Sequence, residues 1–160
     1  MMAIATTESP TIADLLAELG DIPPHRVLLR PYPGTATEQD VIDIHARHKR
    51  LCELVDGVLV EKTVGYQESA LAVLIATYLV NFARPHDLGI VAGADGTLRL
   101  RPGLVRIPDV SFVSWARLPE RQSPGKPIPD LAPDLAVEVL STTPQRKGSE
   151  LTMRHDDHDP

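Results

Sequence analysis

Proline punctuates this chain too often for long helices. Fifteen of the 160 residues are proline, about twice the usual ~5%. Proline lacks a backbone donor and clashes with the preceding helical turn, so it ends elements or sits in turns. Short elements with frequent breaks are expected, and a long helical bundle is disfavoured. The length suits one domain of about 150 residues. Hydrophobic residues at 42% and charged residues at 24% fit a globular core rather than disorder. The single cysteine, Cys52, excludes an intrachain disulfide and a cysteine-rich zinc site.

No apolar stretch approaches the ~18 residues of a membrane helix. Met1–Ser9 lacks the basic-then-apolar pattern of a signal peptide. A cytoplasmic location without membrane contact is therefore expected. The net charge of -6 argues against a simple nucleic-acid coat, but it is unevenly spread. Residues 1–44 carry -5, residues 45–148 carry +2 and residues 149–160 carry -3. The middle of the chain could face a polyanion, although a surplus this small also suits an ordinary solvated surface.

Periodicity predicts the elements. Ile12, Leu15, Leu16 and Leu19 have helical spacing between Ser9-Pro10 and Gly20. Val27–Arg30 is a short strand at most. Thr37 and Asp40 resemble a capping box that opens a helix running to about Arg50. Leu51–Val55 and Val58–Lys62 flank Asp56-Gly57, a strong hairpin signal. Tyr66–Ala83 reads as a helix apolar on so many sides that it should be largely buried. Asp95-Gly96 predicts a second hairpin between Gly89–Ala92 and Thr97–Arg101. Leu104–Trp115 reads as one strand, and Leu135–Leu140 as a short strand buried inside a sheet.

Two acids interrupt segments that otherwise want burial. Alternation places Asp109 on the face of Val105, Ile107 and Val113, and Glu138 on the face of Ala136 and Leu140. A lone buried carboxylate is costly unless paired, protonated or bound to metal. Two on neighbouring strands would repel, and a divalent cation relieves both problems. Oxygen ligands from one or two carboxylates suit Mg²⁺. Pairing with an arginine such as Arg106, or a strand end reaching water, serves equally well. Glu53, entering the first hairpin, is a third candidate, with an exposed strand position as the plain alternative.

Three segments together carry a resemblance: Glu53-Leu54-Val55-Asp56-Gly57, Ile107-Pro108-Asp109-Val110-Ser111-Phe112, and Pro133-Asp134-Leu135-Ala136-Val137-Glu138-Val139-Leu140-Ser141. In this order and spacing they resemble the Uma2 family of restriction endonuclease-like proteins, in the PD-(D/E)XK nuclease superfamily. The similarity runs from about Thr11 to Thr143. It implies an α/β (α+β) fold with a restriction endonuclease-like mixed β-sheet flanked by helices. Residues 11–143 would form that domain, 1–10 a flexible N-terminus and 144–160 an atypical, disordered tail. The resemblance further implies a DNA endonuclease using Mg²⁺ (or Mn²⁺), with Asp109 and Glu138 as metal ligands and Glu53 completing or supporting the site. A homodimer would suit cutting of two strands.

Nucleases of this class also need a cation, normally lysine, to offset developing negative charge. The superfamily pattern places it at Leu140, which cannot serve. In the Uma2 family it falls on a following helix, and there a loose register brings Arg154 to its place. Arginine can stabilise charge but is no safe substitute for lysine. Lys147 is the alternative, set beside Gly148 in a stretch without helical periodicity. The expected closing strand is missing, so a truncated or frame-shifted C-terminus is expected. The rival reading is a catalytically inactive remnant or a binding module.

Other features have plainer readings. His155, Asp156, Asp157, His158 and Asp159 could bind a transition metal, but an apolar-poor terminus is more often disordered. Arg47, His48, Lys49 and Arg50 suit a helix C-terminus. Arg99, Arg101 and Arg106 would hold a nucleic-acid backbone if they line a cleft. Cys52, beside Leu51 and Leu54, reads as a small buried hydrophobe, and Ser141 as a turn residue.

Overall fold

Asp56 and Gly57 have φ of 46° and 83° in the computed structural model, which describes residues 11–63 and 65–140. Positive φ at both positions makes the tight turn whose twist matches its flanking strands. It joins β2 (Cys52–Val55) to β3 (Val58–Glu61), paired antiparallel from Cys52 opposite Glu61 to Val55 opposite Val58. β1 (Val27–Leu28) adds to the outer edge of β3. On the other side β2 pairs with β6 (Leu104–Arg106), which pairs with β5 (Leu98–Arg101). The first sheet therefore runs β1-β3-β2-β6-β5.

The helix α2 (Glu38–His48) covers this sheet. Asp40 Oδ2 accepts the Thr37 backbone N–H at 2.8 Å and the Thr37 hydroxyl at 2.6 Å, so the expected capping residues do start it. Val41 of α2 packs with Ala36, Cys52, Leu54, Leu59 and Val105 into the core cluster. Leu54, Leu59 and Val105 are fully buried, and each such side chain contributes about 1.5–3 kcal/mol of transfer free energy. α1 (Ile12–Glu18) begins at Thr11, whose hydroxyl accepts the Asp14 N–H.

The second sheet runs β4 (Gly89–Ala92), β7 (Val110–Ser114), β8 (Leu135–Val137). Every pairing between these strands is antiparallel, and Arg99–Asp130 is an isolated parallel bridge. α3 (Tyr66–Ala83) packs on β4 and β7. Strands in two sheets flanked by helices make this an α/β fold of the restriction endonuclease-like kind.

Four expectations need correction. β4 does not form a hairpin with β5; it pairs with β7, placing Gly89 opposite Ser114. A Cβ on Gly89 would lie 2.1 Å from the Val113 carbonyl oxygen, so glycine is what permits this approach. The β5 hairpin is instead closed with β6 through Pro102-Gly103, where Gly103 has a φ of 78°. Leu104–Trp115 is not one strand: Ile107-Pro108-Asp109 breaks it and sends β6 and β7 into different sheets. Proline cannot donate to a ladder, which explains the break.

α3 is not largely buried. Only Ala72 and Ala83 of this helix are buried, while Leu71, Leu74, Tyr78 and Phe82 are exposed. A three-stranded sheet covers just one side of a helix, and small alanines occupy that side. Finally, Leu135–Leu140 is not a buried strand. Among the described residues β8 pairs with β7 alone, and Leu140 is 84% exposed. Residues 1–10 and 141–160, which hold the expected N-terminus, the last three residues of the expected domain and the expected tail, lie outside the described residues; no helix among those described is long and apolar enough to cross a membrane.

Candidate active site

Register brings the two suspected acids together. β7 and β8 pair with Val110 opposite Val137. One step further along the same antiparallel ladder sets Asp109 opposite Glu138. The ladder ends there, and side-chain bonding takes over: Asp109 Oδ2 accepts the Val139 backbone N–H at 2.7 Å. The Pro108 break frees Asp109 from the first sheet, and this bond fixes its carboxylate at the junction.

Between the acids lies a residue from the other sheet. Lys62 directly follows β3, and its Nζ is 2.7 Å from Glu138 Oε2 and 3.1 Å from Asp109 Oδ1. Its side chain is only 7% exposed, against 16% for Asp109 and 50% for Glu138. Burial alone would push the Lys62 pKa down, but hydrogen bonds and charge from Glu138 and Asp109 hold it above the ordinary lysine value. The ammonium therefore stays charged. The two carboxylates, expected to repel, share one cation.

Glu53 plays a different structural part. It is 5% exposed, on β2. Its Oε1 accepts the Ile107 backbone N–H at 2.9 Å and its Oε2 accepts Arg106 Nη1 at 2.8 Å. Both oxygens thus grip the strand just before Pro108-Asp109. Glu53 supports the segment that presents Asp109 and does not itself line the cleft beside it.

That cleft has a volume of about 560 Å³. Asp109, Glu138 and Lys62 stand on one wall, with Arg26, Glu68 and Ser69 also lining it. Arg26 Nε donates to the Glu61 carbonyl at 2.9 Å, which anchors its guanidinium there. Ala72, Val73 and Ala76 of α3 line it as well.

The Uma2 family model, described as "putative restriction endonuclease", matches residues 39–154. That span covers most of the chain and contains Glu53, Lys62, Asp109 and Glu138. The chain belongs to the Uma2 family. No curated protein matches it.

The Uma2 motif residues do not all converge. Asp109 and Glu138 meet; Glu53 stands behind Asp109. Arg154, Lys147, Ser141 and the His155–Asp159 cluster lie outside the described residues. Arg99, Arg101 and Arg106 do not line the cleft. They are paired with Glu38 and Asp130, with Asp56, and with Glu53 respectively, across the first sheet. Lys62 is the residue that sequence reasoning missed. Its signal was faint: the second of two charges, after Glu61, that follow the apolar run Val58–Val60 on the hairpin that carries Glu53.

The donor set fits a hard divalent cation. Two carboxylates already converge on one positive group, and Mg²⁺ accepts one or two protein carboxylates with water completing its shell. No cluster of three or more His, Cys, Asp or Glu side chains suited to a metal occurs among the described residues. Among the described residues, Asp109 and Glu138 are the two carboxylates that meet on one cationic group, and a cation here would take its protein oxygens from them.

Proposed function

We propose that this Uma2 protein is a metal-dependent endonuclease that hydrolyses DNA phosphodiester bonds. The observation that carries the reading is the convergence of Asp109 and Glu138 on one cationic group at the wall of an open cleft. Asp109 and Glu138 would hold Mg²⁺ or Mn²⁺. When bound, such an ion polarises a phosphodiester and lowers the pKa of a coordinated water. Hydrolysis joins the water oxygen to phosphorus and breaks one P–O ester bond. A proton leaves the water and one is taken up by the departing oxygen, leaving a phosphomonoester and a free hydroxyl. Glu53 keeps Asp109 in place through Ile107, and Arg26 offers positive charge to the backbone phosphates.

Plasmid cleavage with Mg²⁺ or Mn²⁺ tests this. The wild type should cut, and Asp109→Ala and Glu138→Ala should each lose at least ~100-fold in rate. Equal cutting by wild type and Asp109→Ala defeats the site. DNA binding without cutting by the wild type supports the second reading, a non-catalytic binding module. Leu140, at the superfamily's lysine position, is the observation in its favour. The homodimer expected for two-strand cutting finds no support in the single described chain.

A further inference from the structure

We infer that Lys62 is the working cation of this site: it is the counter-ion of the Asp109–Glu138 pair and the positive group that meets the substrate phosphate. The inference rests on the metal-dependent reading above and adds a residue that the superfamily pattern places elsewhere. Lys62 comes from the end of β3, in the other sheet, and reaches both carboxylates at 2.7 and 3.1 Å. The side chain is 7% exposed at the wall of a cleft, and two ion pairs hold its ammonium there. Glu61, the residue before it, is bonded to Arg50 instead, so the two charges at the end of β3 are sorted between different partners.

Two consequences follow from Coulomb's law. Asp109 and Glu138 lie within 3.1 Å of one nitrogen, so a divalent ion held by the same oxygens would feel the ammonium as a like charge. Entry of the ion should move Lys62 away from the carboxylates. The side chain is tethered at the cleft wall, so its displaced ammonium remains close enough to pair with a phosphate oxygen. Phosphate bound there would gain the positive charge that develops most value as negative charge builds on the phosphoryl oxygens. Lys62 thus opposes metal binding and favours turnover, two effects of opposite sign from one group.

Isothermal titration of the full chain with Mn²⁺ reads the first effect, and plasmid cleavage at saturating Mn²⁺ reads the second. Lys62→Met should bind Mn²⁺ at least about tenfold more tightly, because a like charge a few ångströms away is removed. Its kcat should fall by about 100-fold with KM for DNA changed far less. Lys62→Arg keeps the charge and should hold Mn²⁺ affinity near the wild-type value, while losing turnover because a planar guanidinium replaces a point charge. Circular dichroism checks that both variants fold, and if Lys62→Met does not, the Lys62→Arg turnover decides. Unchanged Mn²⁺ affinity and kcat in Lys62→Met, or wild-type kcat in Lys62→Arg, overturns the role of Lys62 and leaves the metal site standing. Mn²⁺ binding unaffected by Asp109→Ala overturns the metal site and the role of Lys62 with it.

Discussion

Glu53 and Ile107 are joined by a 2.9 Å hydrogen bond from the Ile107 backbone N–H to the Glu53 carboxylate, both groups being buried. The bond runs from β2 to the break just after β6 and sits two residues ahead of Asp109. Glu53→Ala leaves that N–H without a partner and Arg106 without its carboxylate. A buried donor stripped of its partner costs about 1–3 kcal/mol, and more where the partner was charged. Urea unfolding should show a loss of at least ~2 kcal/mol, and Glu53→Gln, which can still accept the N–H, should lose less. A Glu53→Ala protein as stable as the wild type would remove the supporting role.

Gly57 carries the first hairpin. Its φ is 83°, and a Cβ there would lie 2.6 Å from the Gly34 backbone carbonyl. The same approach lets the Gly57 carbonyl accept N–H groups from Gly34 and Ala36. Gly57→Ala combines a disfavoured backbone region with a backbone clash and should cost more than ~2 kcal/mol. Thermal melting that shows no drop in midpoint would contradict this geometry.

Asp134 links β7 and β8. Its carboxylate accepts the Ser114 N–H and Arg117 Nε, both at 2.7 Å. The Ser114 backbone bond first, then the Arg117 bond, pull its pKa down to about 2. The unfolded value is ~3.9, so the contribution is complete above that pH and disappears as pH falls through about 2. The stability gap between wild type and Asp134→Asn should be constant above pH ~4 and should shrink toward pH ~2. Urea titrations across this range measure it, and a gap independent of pH would speak against the assignment.

Cys52 is 1% exposed, and burial pushes its thiol up to about 11. The thiolate is the reactive form, so the folded protein should react with an aromatic disulfide reagent at pH 8 at least ~100-fold more slowly than the urea-unfolded chain. Comparable rates would mean that the site opens readily.

Local signals in the sequence were reliable where the cause was local. The Tyr66–Ala83 helix matches its expected span, and Asp56-Gly57 makes its hairpin because two positive φ values lie in adjacent residues. Asp109 and Glu138 stood out because each is an acid in an apolar run. Pairing between distant strands was harder to read. Asp95-Gly96 looked as competent as Asp56-Gly57, yet Gly89 seats β4 against β7. Lys62 escaped notice for the same reason: its partners are 76 residues away in the case of Glu138, and no local pattern marks a charge for burial by a second sheet. The bareness of α3 depends on how wide its sheet is, which its own periodicity cannot express.

The span from Lys62 to Glu138 also has a kinetic meaning. Closing a loop of that length costs entropy before any contact repays it, so contacts of this range tend to form late. The repulsion between Asp109 and Glu138, and its relief by Lys62, then exist only after both sheets are in place. Substitutions at the three positions should leave the refolding rate nearly unchanged and act on the rate of unfolding. Selection for chemistry at this junction can proceed there without slowing the chain's passage to its native state.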